Sequence, residues 1–497
     1  MKRSCAILLG VSSLPSDHGI GTLGKEAYNF IDFLKAAGQT YWQMLPLGPT
    51  GYGDSPYATV ADKAGNPYFI DLDLLMEDGL LTKEELAEYD ACAMKDVEDE
   101  YVDYGKLYEY RFDILRKAYD RGKDLCKAEF EAFASENTYW LDDYAVYMSV
   151  KKYFGMKSWQ EWEDEDIRMH RPAAINKYRE MLRDDVDFYA FLQYLFFSQW
   201  AKLKAYAVKN GIKIIGDVPI YVAMDSADVW SEPHYFQLDE KNIPIEISGV
   251  PPDYFSEDGQ LWGNPLYRWD KMEADGYGWW IRRISAAARL YDVIRIDHFR
   301  GFASYWSVPY GEKTAKNGHW VKGPGIDFVN TIKNWFSGTE FIAEDLGEQT
   351  PDVAELLEAS GLPGMKVLQF AFNPEELSDH LPQFYKENCI CYTGTHDNST
   401  LEGWEQTKEW EVLFAAEYLG VYDTAELSER IIRAGMASTA RLFVAQMQDY
   451  LWLGDEARMN TPGTAQGNWK WRMKKEAADE SLSGMLMRMM LIYGRKP

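Results

Sequence analysis

Short apolar runs that end on a polar or charged residue recur along this chain. They are Cys5–Leu14 (CAILLGVSSL), Tyr41–Leu47 (YWQMLPL), Lys213–Ile220 (KIIGDVPI) and Asp292–Asp297 (DVIRID). Four more follow: Phe341–Asp345 (FIAED), Met365–Phe370 (MKVLQF), Cys389–Asp397 (CICYTGTHD) and a weaker Phe443–Gln448 (FVAQMQ). Runs of this kind, rich in Ile and Val and bounded by turn residues, predict strands buried on both faces. Many are separated by stripes of apolar residues at helical spacing, as in Lys25–Ala37, Ile281–Leu290 and Pro351–Ala359. Strand–helix alternation repeated eight times predicts an α/β fold of the (β/α)₈ barrel type.

The alternation breaks twice. From about residue 70 to 190 the pattern is helical, with 3.6-period stripes over Leu107–Asp120, Asn137–Phe154 and Ala174–Lys204. This predicts a helical insertion after the second strand, its last helix running back into the barrel. A smaller segment of about 221–280 reads as a loop-rich insertion after the third strand. The expected organisation is a single barrel over 1–497 with inserted, largely helical subdomains. No repeat or low-complexity stretch interrupts it.

Composition narrows the partners. The chain has 52 Lys+Arg against 79 Asp+Glu, a net charge of −27. Such a protein repels phosphate backbones and anionic lipid, which argues against nucleic acid and membrane partners and leaves a neutral substrate open. Its 18 Trp and 33 Tyr serve a large core and can also serve as platforms for sugar rings. The five cysteines are odd in number and none has zinc-knuckle spacing, which predicts a reducing compartment. The start, MKRSCAILLGVSSLPS, superficially resembles a signal peptide. Its apolar run is short, contains Gly10, Ser12 and Ser13, and lacks an obvious small-x-small site. It reads as the first barrel strand of a cytoplasmic protein. No run approaches the ~18 apolar residues of a membrane span.

Barrel active sites lie at the C-terminal ends of the strands. Polar groups recur there: Asp217, then Arg295 and Asp297, then Glu344 and Asp345, then His396 and Asp397. A single Asp after a strand is usually a helix cap or loop residue. Four apolar strands each delivering a carboxylate to one rim point to catalysis, because like charges placed together cost folding energy. Retaining glycosyl transfer needs an ionised carboxylate and a protonated one, roughly 5–5.5 Å apart. Arg295, two residues before Asp297, projects to the same side and can hold Asp297 ionised. That leaves Glu344 as acid/base and Asp397 to grip sugar hydroxyls. A metal site competes for the same carboxylates, but no H-E-x-x-H spacing appears, so no metal or cofactor is expected. Gly19, Gly21 and Gly24 match G-x-G-x-x-G without a nucleotide-binding βαβ unit, and a tight turn is the plainer use.

The motifs together resemble the 4-α-glucanotransferases known as amylomaltase or disproportionating enzyme, glycoside hydrolase family 77. The resemblance covers nearly the whole chain. It rests on Ser13–Gly24 (SLPSDHGIGTLG), Trp42–Tyr57 (WQMLPLGPTGYGDSPY), Gly216–Val222 (GDVPIYV) and Gly249–Pro265 (GVPPDYFSEDGQLWGNP). It rests further on Arg295–Gly301 (RIDHFRG), Ala343–Gly347 (AEDLG), Thr395–Asn398 (THDN) and Arg458–Gly463 (RMNTPG). It implies transfer of α-1,4-glucan segments between maltooligosaccharides. Asp297 matches the nucleophile, Glu344 the acid/base and Asp397 the transition-state stabiliser. Arg295, His396 and Asp217 match substrate-contacting residues, and Tyr57 matches a stacking tyrosine. Ser55, Asp253, Trp262 and Asn460 fall in segments similar to donor- and acceptor-site loops. Three of these residues also have a structural reading: Tyr57 as a core tyrosine, Trp262 as a loop anchor and Asn460 as a turn residue. Ser399 departs from the family, where many relatives carry an acid after THDN; it adjoins the site and is expected to tune binding. An α-amylase-type hydrolase would share the carboxylates and use water. A non-catalytic glucan-binding protein would keep the cleft and lose one of them. Oligomeric state has no signal in the sequence.

Overall fold

The computed structural model describes residues 2–51, 53–252, 256–464 and 466–496. Eight parallel strands form the central sheet: β1 (Ser4–Leu8), β2 (Tyr41–Gln43), β3 (Lys213–Val218), β6 (Val293–Ile296), β9 (Glu340–Ala343), β10 (Gly364–Val367), β11 (Cys389–Tyr392) and β12 (Leu442–Gln446). Their order, β10-β11-β12-β1-β2-β3-β6-β9, is the chain order wrapped round on itself. The two ends meet where the Ala343 N–H donates to the Pro363 carbonyl at 3.0 Å. The sheet is a (β/α)₈ barrel.

All eight predicted runs hold strands, but the ladders are shorter than the runs. After β1 the chain turns through Val11–Ser13, and after β10 through Leu368–Phe370. Leu9, Val11, Leu14, Met44, Leu45, Leu47 and Leu368 stay buried beyond their strands. The mouth of the barrel is roofed by its own loops, so apolar sequence continues past the last ladder hydrogen bond. Predicted helices are recovered as Lys25–Ala36, Gly278–Leu290 and Pro351–Ser360.

Between β2 and β3 the chain forms helices including Tyr104–Leu125, Thr138–Tyr153, Pro172–Met181 and Arg183–Lys209. The stripe read as one helix over Ala174–Lys204 is two, interrupted at Leu182 (φ −110°, ψ 25°). The longer piece has 27 residues, about 40 Å at the helical rise. Its C-terminal end packs on Lys25–Ala36 and leads into β3. Midway it passes the loop after β2. Gln193 accepts the Gly65 N–H at 2.7 Å and donates to the Gly65 carbonyl at 2.9 Å. Gln199 does the same for Asp71 at 2.7 and 3.1 Å. Each buried amide satisfies a backbone pair that no strand reaches. Gly65 is required there, since a Cβ would lie 2.0 Å from the Phe196 ring.

After β3 the chain builds β4 (Glu246–Val250) and β5 (Gln260–Pro265), and after β6 it builds β7 (Ser304–Pro309) and β8 (His319–Lys322). These form an antiparallel sheet, β5-β4-β7-β8, beside the barrel mouth. Among the described residues no helix is long and apolar enough to cross a membrane.

Candidate active site

Strand register assembles the rim. Asp217 on β3 is the register partner of Arg295 on β6. The Arg295 guanidinium donates through Nη1 to both Asp217 oxygens, at 2.7 and 2.6 Å, and to Asp297 Oδ1 at 3.0 Å. Arg295 and Asp217 are each 3% exposed. Arg295 therefore touches Asp297 as its spacing predicted, but its charge is chiefly matched by Asp217. On the next strand, Ile296 pairs with Ala343, which sets Asp297 beside Glu344. The Glu344 N–H continues the ladder onto the Ile296 carbonyl at 3.0 Å.

Glu344 is nearly sealed, at 7% exposure. Its Oε2 accepts the His298 N–H at 2.6 Å and its Oε1 the Leu346 N–H at 2.9 Å. His298 aims its amide this way from a left-handed backbone, φ 51°. That conformation costs a non-glycine residue about 1–3 kcal/mol and tends to persist at functional sites. Burial, the largest effect, raises Glu344 to about 8; Arg295 opposes this and the Asp297 charge adds to it. Burial likewise raises Asp297, to about 6, against the pull of Arg295. At neutral pH the geometry thus holds a protonated carboxyl beside an ionised one, two neighbouring acids pushed apart in pKa by their surroundings. Burial lowers His298 to about 3, so its ring is neutral.

The far wall is aromatic. Tyr57 stacks on His396 with ring centroids 4.7 Å apart and planes 19° from parallel. Its hydroxyl donates to Asp217 Oδ2 at 2.7 Å and lies 3.2 Å from His396 Nδ1. Asp397 Oδ1 lies 3.4 Å from His396 Nε2 and accepts the Asn460 amide at 2.6 Å. Asp297 and Asp397 keep 27% and 46% of their side chains open, so both face the cleft while Glu344 lines it.

Eight predicted residues thus come together: Tyr57, Asp217, Arg295, Asp297, Glu344, His396, Asp397 and Asn460. Trp262, on β5, joins them through His298, whose ring it meets edge-on at 4.8 Å. Ser55 supports the turn beneath Tyr57, accepting the Tyr57 N–H at 3.2 Å. Asp253 lies outside the described residues. Asp345 turns away from the cleft and accepts the Met365 N–H at 2.6 Å, tying β9 to β10. Ser399 accepts from Arg458 Nη1 at 3.1 Å and donates to Asp455 at 3.2 Å.

Three site residues escaped the sequence reading. Arg458 clamps the Asp397 turn, donating to the Asp397 carbonyl at 2.7 Å and the Asn460 carbonyl at 2.8 Å. Trp469, with φ 64°, completes the aromatic layer with its ring 5.8 Å from both Tyr57 and His396. His298 lies within the quoted RIDHFRG motif, where its sequence signal assigns it no role. Arg458 lies within a quoted motif; Trp469 has no signal, because its ring meets Tyr57 and His396, which lie 412 and 73 residues away in sequence.

A profile of glycoside hydrolase family 77, described as 4-alpha-glucanotransferase, matches residues 9–478. The chain is 47% identical over 489 residues to a 4-alpha-glucanotransferase of Clostridium butyricum, covering 98% of this chain and 99% of that one. It is 46% identical over 485 residues to the enzyme of the same name from Thermus thermophilus, covering 95% of each. In structure it is similar to the amylomaltase from Streptococcus agalactiae in complex with acarbose, with a TM-score of 0.95, 39% identity and full coverage of both chains. With the profile matching residues 9–478 and the carboxylates standing on the rim, this chain belongs to glycoside hydrolase family 77, the 4-alpha-glucanotransferases.

Proposed function

We propose that this chain transfers α-1,4-glucan segments between maltooligosaccharides by a retaining double displacement. Asp297 attacks the anomeric carbon. Glu344 gives its proton to the departing glucan oxygen. The covalent glycosyl–Asp297 ester then loses its sugar to the 4-hydroxyl of an acceptor glucan, whose proton returns to Glu344. Asp397, held by Asn460, grips sugar hydroxyls and favours the oxocarbenium-like transition state. Asp217, Arg295 and His396 position the sugar, and Tyr57 offers its ring to it. Trp262 lines the cleft, and Ser55 and Asp253 belong to the loops that receive the donor and acceptor chains. The helical insertion of about 70–190 and the segment of about 221–280 belong to the same catalytic unit.

The observation that carries this reading is the pair of neighbouring carboxyls on adjacent strands, one held near 6 and the other near 8. The neutral substrate suits a protein of charge −27. The cytoplasm is the compartment that suits five free cysteines.

Maltotriose decides between transfer and hydrolysis. Glucose together with a ladder of longer maltodextrins is the expected result. Maltose and glucose alone would make the protein a hydrolase. Asp297→Asn should abolish both products, and retained turnover would remove Asp297 from the nucleophile's role.

A further inference from the structure

The helical insertion meets the active-site rim through the segment 100–104. Tyr101 bridges to Trp471 in antiparallel fashion. The Val102 N–H donates to the Lys470 carbonyl, and the Arg472 N–H to the Glu100 carbonyl, both at 2.7 Å. Two hydroxyls extend this grip. Tyr101 donates to the Glu456 carbonyl at 3.2 Å, and Tyr104, itself buried, to the Trp469 carbonyl at 2.9 Å. Glu456 and Trp469 are the two feet of one loop.

That loop brings two groups to the chemistry. Near one foot, Asn460 bonds Asp397. At the other, the Trp469 ring backs the Tyr57–His396 stack. The neck is closed by the Trp469 N–H on the Met459 carbonyl at 2.6 Å, while Thr461–Thr464 at the tip are exposed. Arg458 and the Asn460 N–H, which donates to the His396 carbonyl at 3.1 Å, tie the loop to the Asp397 turn, and its feet tie it to the rest of the fold. Here both feet rest on tyrosines from a segment more than 350 residues away in sequence.

We infer that Tyr101 and Tyr104 are positioning residues of the active site. By fixing the feet of the Glu456–Trp469 loop, the insertion sets Asn460 against Asp397 and Trp469 against the aromatic wall where a glucan chain binds. The inference rests on the glucan-transfer reading above. It gives the insertion a part in how tightly glucan is held and how well water is excluded from the intermediate.

The double variant Tyr101→Phe/Tyr104→Phe removes two hydroxyls and keeps both rings. With maltotriose its KM should rise roughly five- to tenfold, as two lost hydrogen bonds allow, with a smaller change in kcat. The share of product released by hydrolysis should rise, and acarbose should bind more weakly by a similar factor, while the melting temperature stays close to that of the parent. Trp469→Leu should reproduce the effect and Trp469→Phe should largely restore it. Parent-like KM, acarbose affinity and product ratio in the double variant would overturn the inference. So would a change confined to melting temperature. If the parent binds acarbose but builds no longer maltodextrins, the transfer reading fails, and the acarbose affinities still decide the role of the two tyrosines.

Discussion

In the proposed double displacement, Glu344 must be protonated when the glucan leaves and ionised when the acceptor arrives. Burial supplies the first condition by raising it to about 8, and the two backbone N–H groups on its oxygens keep the second within reach. As the proposed nucleophile, Asp297, raised to about 6, must be ionised to attack. Activity should therefore climb as pH passes about 6 and fall as it passes about 8, read as kcat/KM for maltotriose across the pH range. Glu344→Gln should cost 10²–10⁴-fold in rate. The same shift has a stability consequence. The carboxyl titrates near 4.5 when unfolded and near 8 when folded. Its contribution to stability is full below the unfolded value and lost as pH rises through the folded one. Glutamine cannot ionise, so the variant should outlast the parent on the alkaline side. Melting curves at acid and alkaline pH test this, and a gap that failed to widen with pH would refute the assignment. At this scale the sequence was informative where identity and strand end coincide, as at Asp217, Asp297 and Glu344. It was silent on Trp469, whose partners arrive from two other loops.

Elements were legible to the extent that periodicity carries burial. The barrel strands are largely buried on both faces, so each shows as a mostly apolar run, interrupted at positions such as Asp217, Arg295 and Lys366. The antiparallel sheet is different. Gly249, Gly263 and Pro265 thin its apolar content, β8 is mostly exposed, and the segment of about 221–280 shows no alternation to read. The break at Leu182 has no Gly or Pro to announce it. The most consequential contact between elements is equally hidden, because Gln193 and Gln199 read as ordinary polar positions on a helix. Gln193→Leu preserves bulk but strands the Gly65 N–H and carbonyl in a buried place. It should destabilise the protein by about 1–3 kcal/mol for each group left unpaired. Thermal unfolding measures this, and an unchanged midpoint would mean that the loop after β2 is held by other contacts.

For the molecule as a whole, charge and fold separate cleanly. The net charge of −27 generates a field that a neutral glucan does not feel. Raising salt should leave kcat/KM for maltotriose within about twofold, since screening acts on charged partners. A steep salt dependence would point to a charged substrate instead. The large-scale plan was present in the sequence by itself, because hydrophobic periodicity reports which segments are buried and the chain order of strands is the barrel order. The motifs likewise identified the carboxylates and their order along the chain. Tertiary structure alone decided which neighbours each of those groups meets. Arg295 is matched mainly by Asp217 because β3 and β6 pair in that register. Glu344 keeps its proton because loops bury it beside Asp297. The helical insertion reaches the rim because residues 100–104 fold against 469–472. Protonation and positioning depend on neighbours brought together through space, and the linear chain records each neighbour without recording the distance between them.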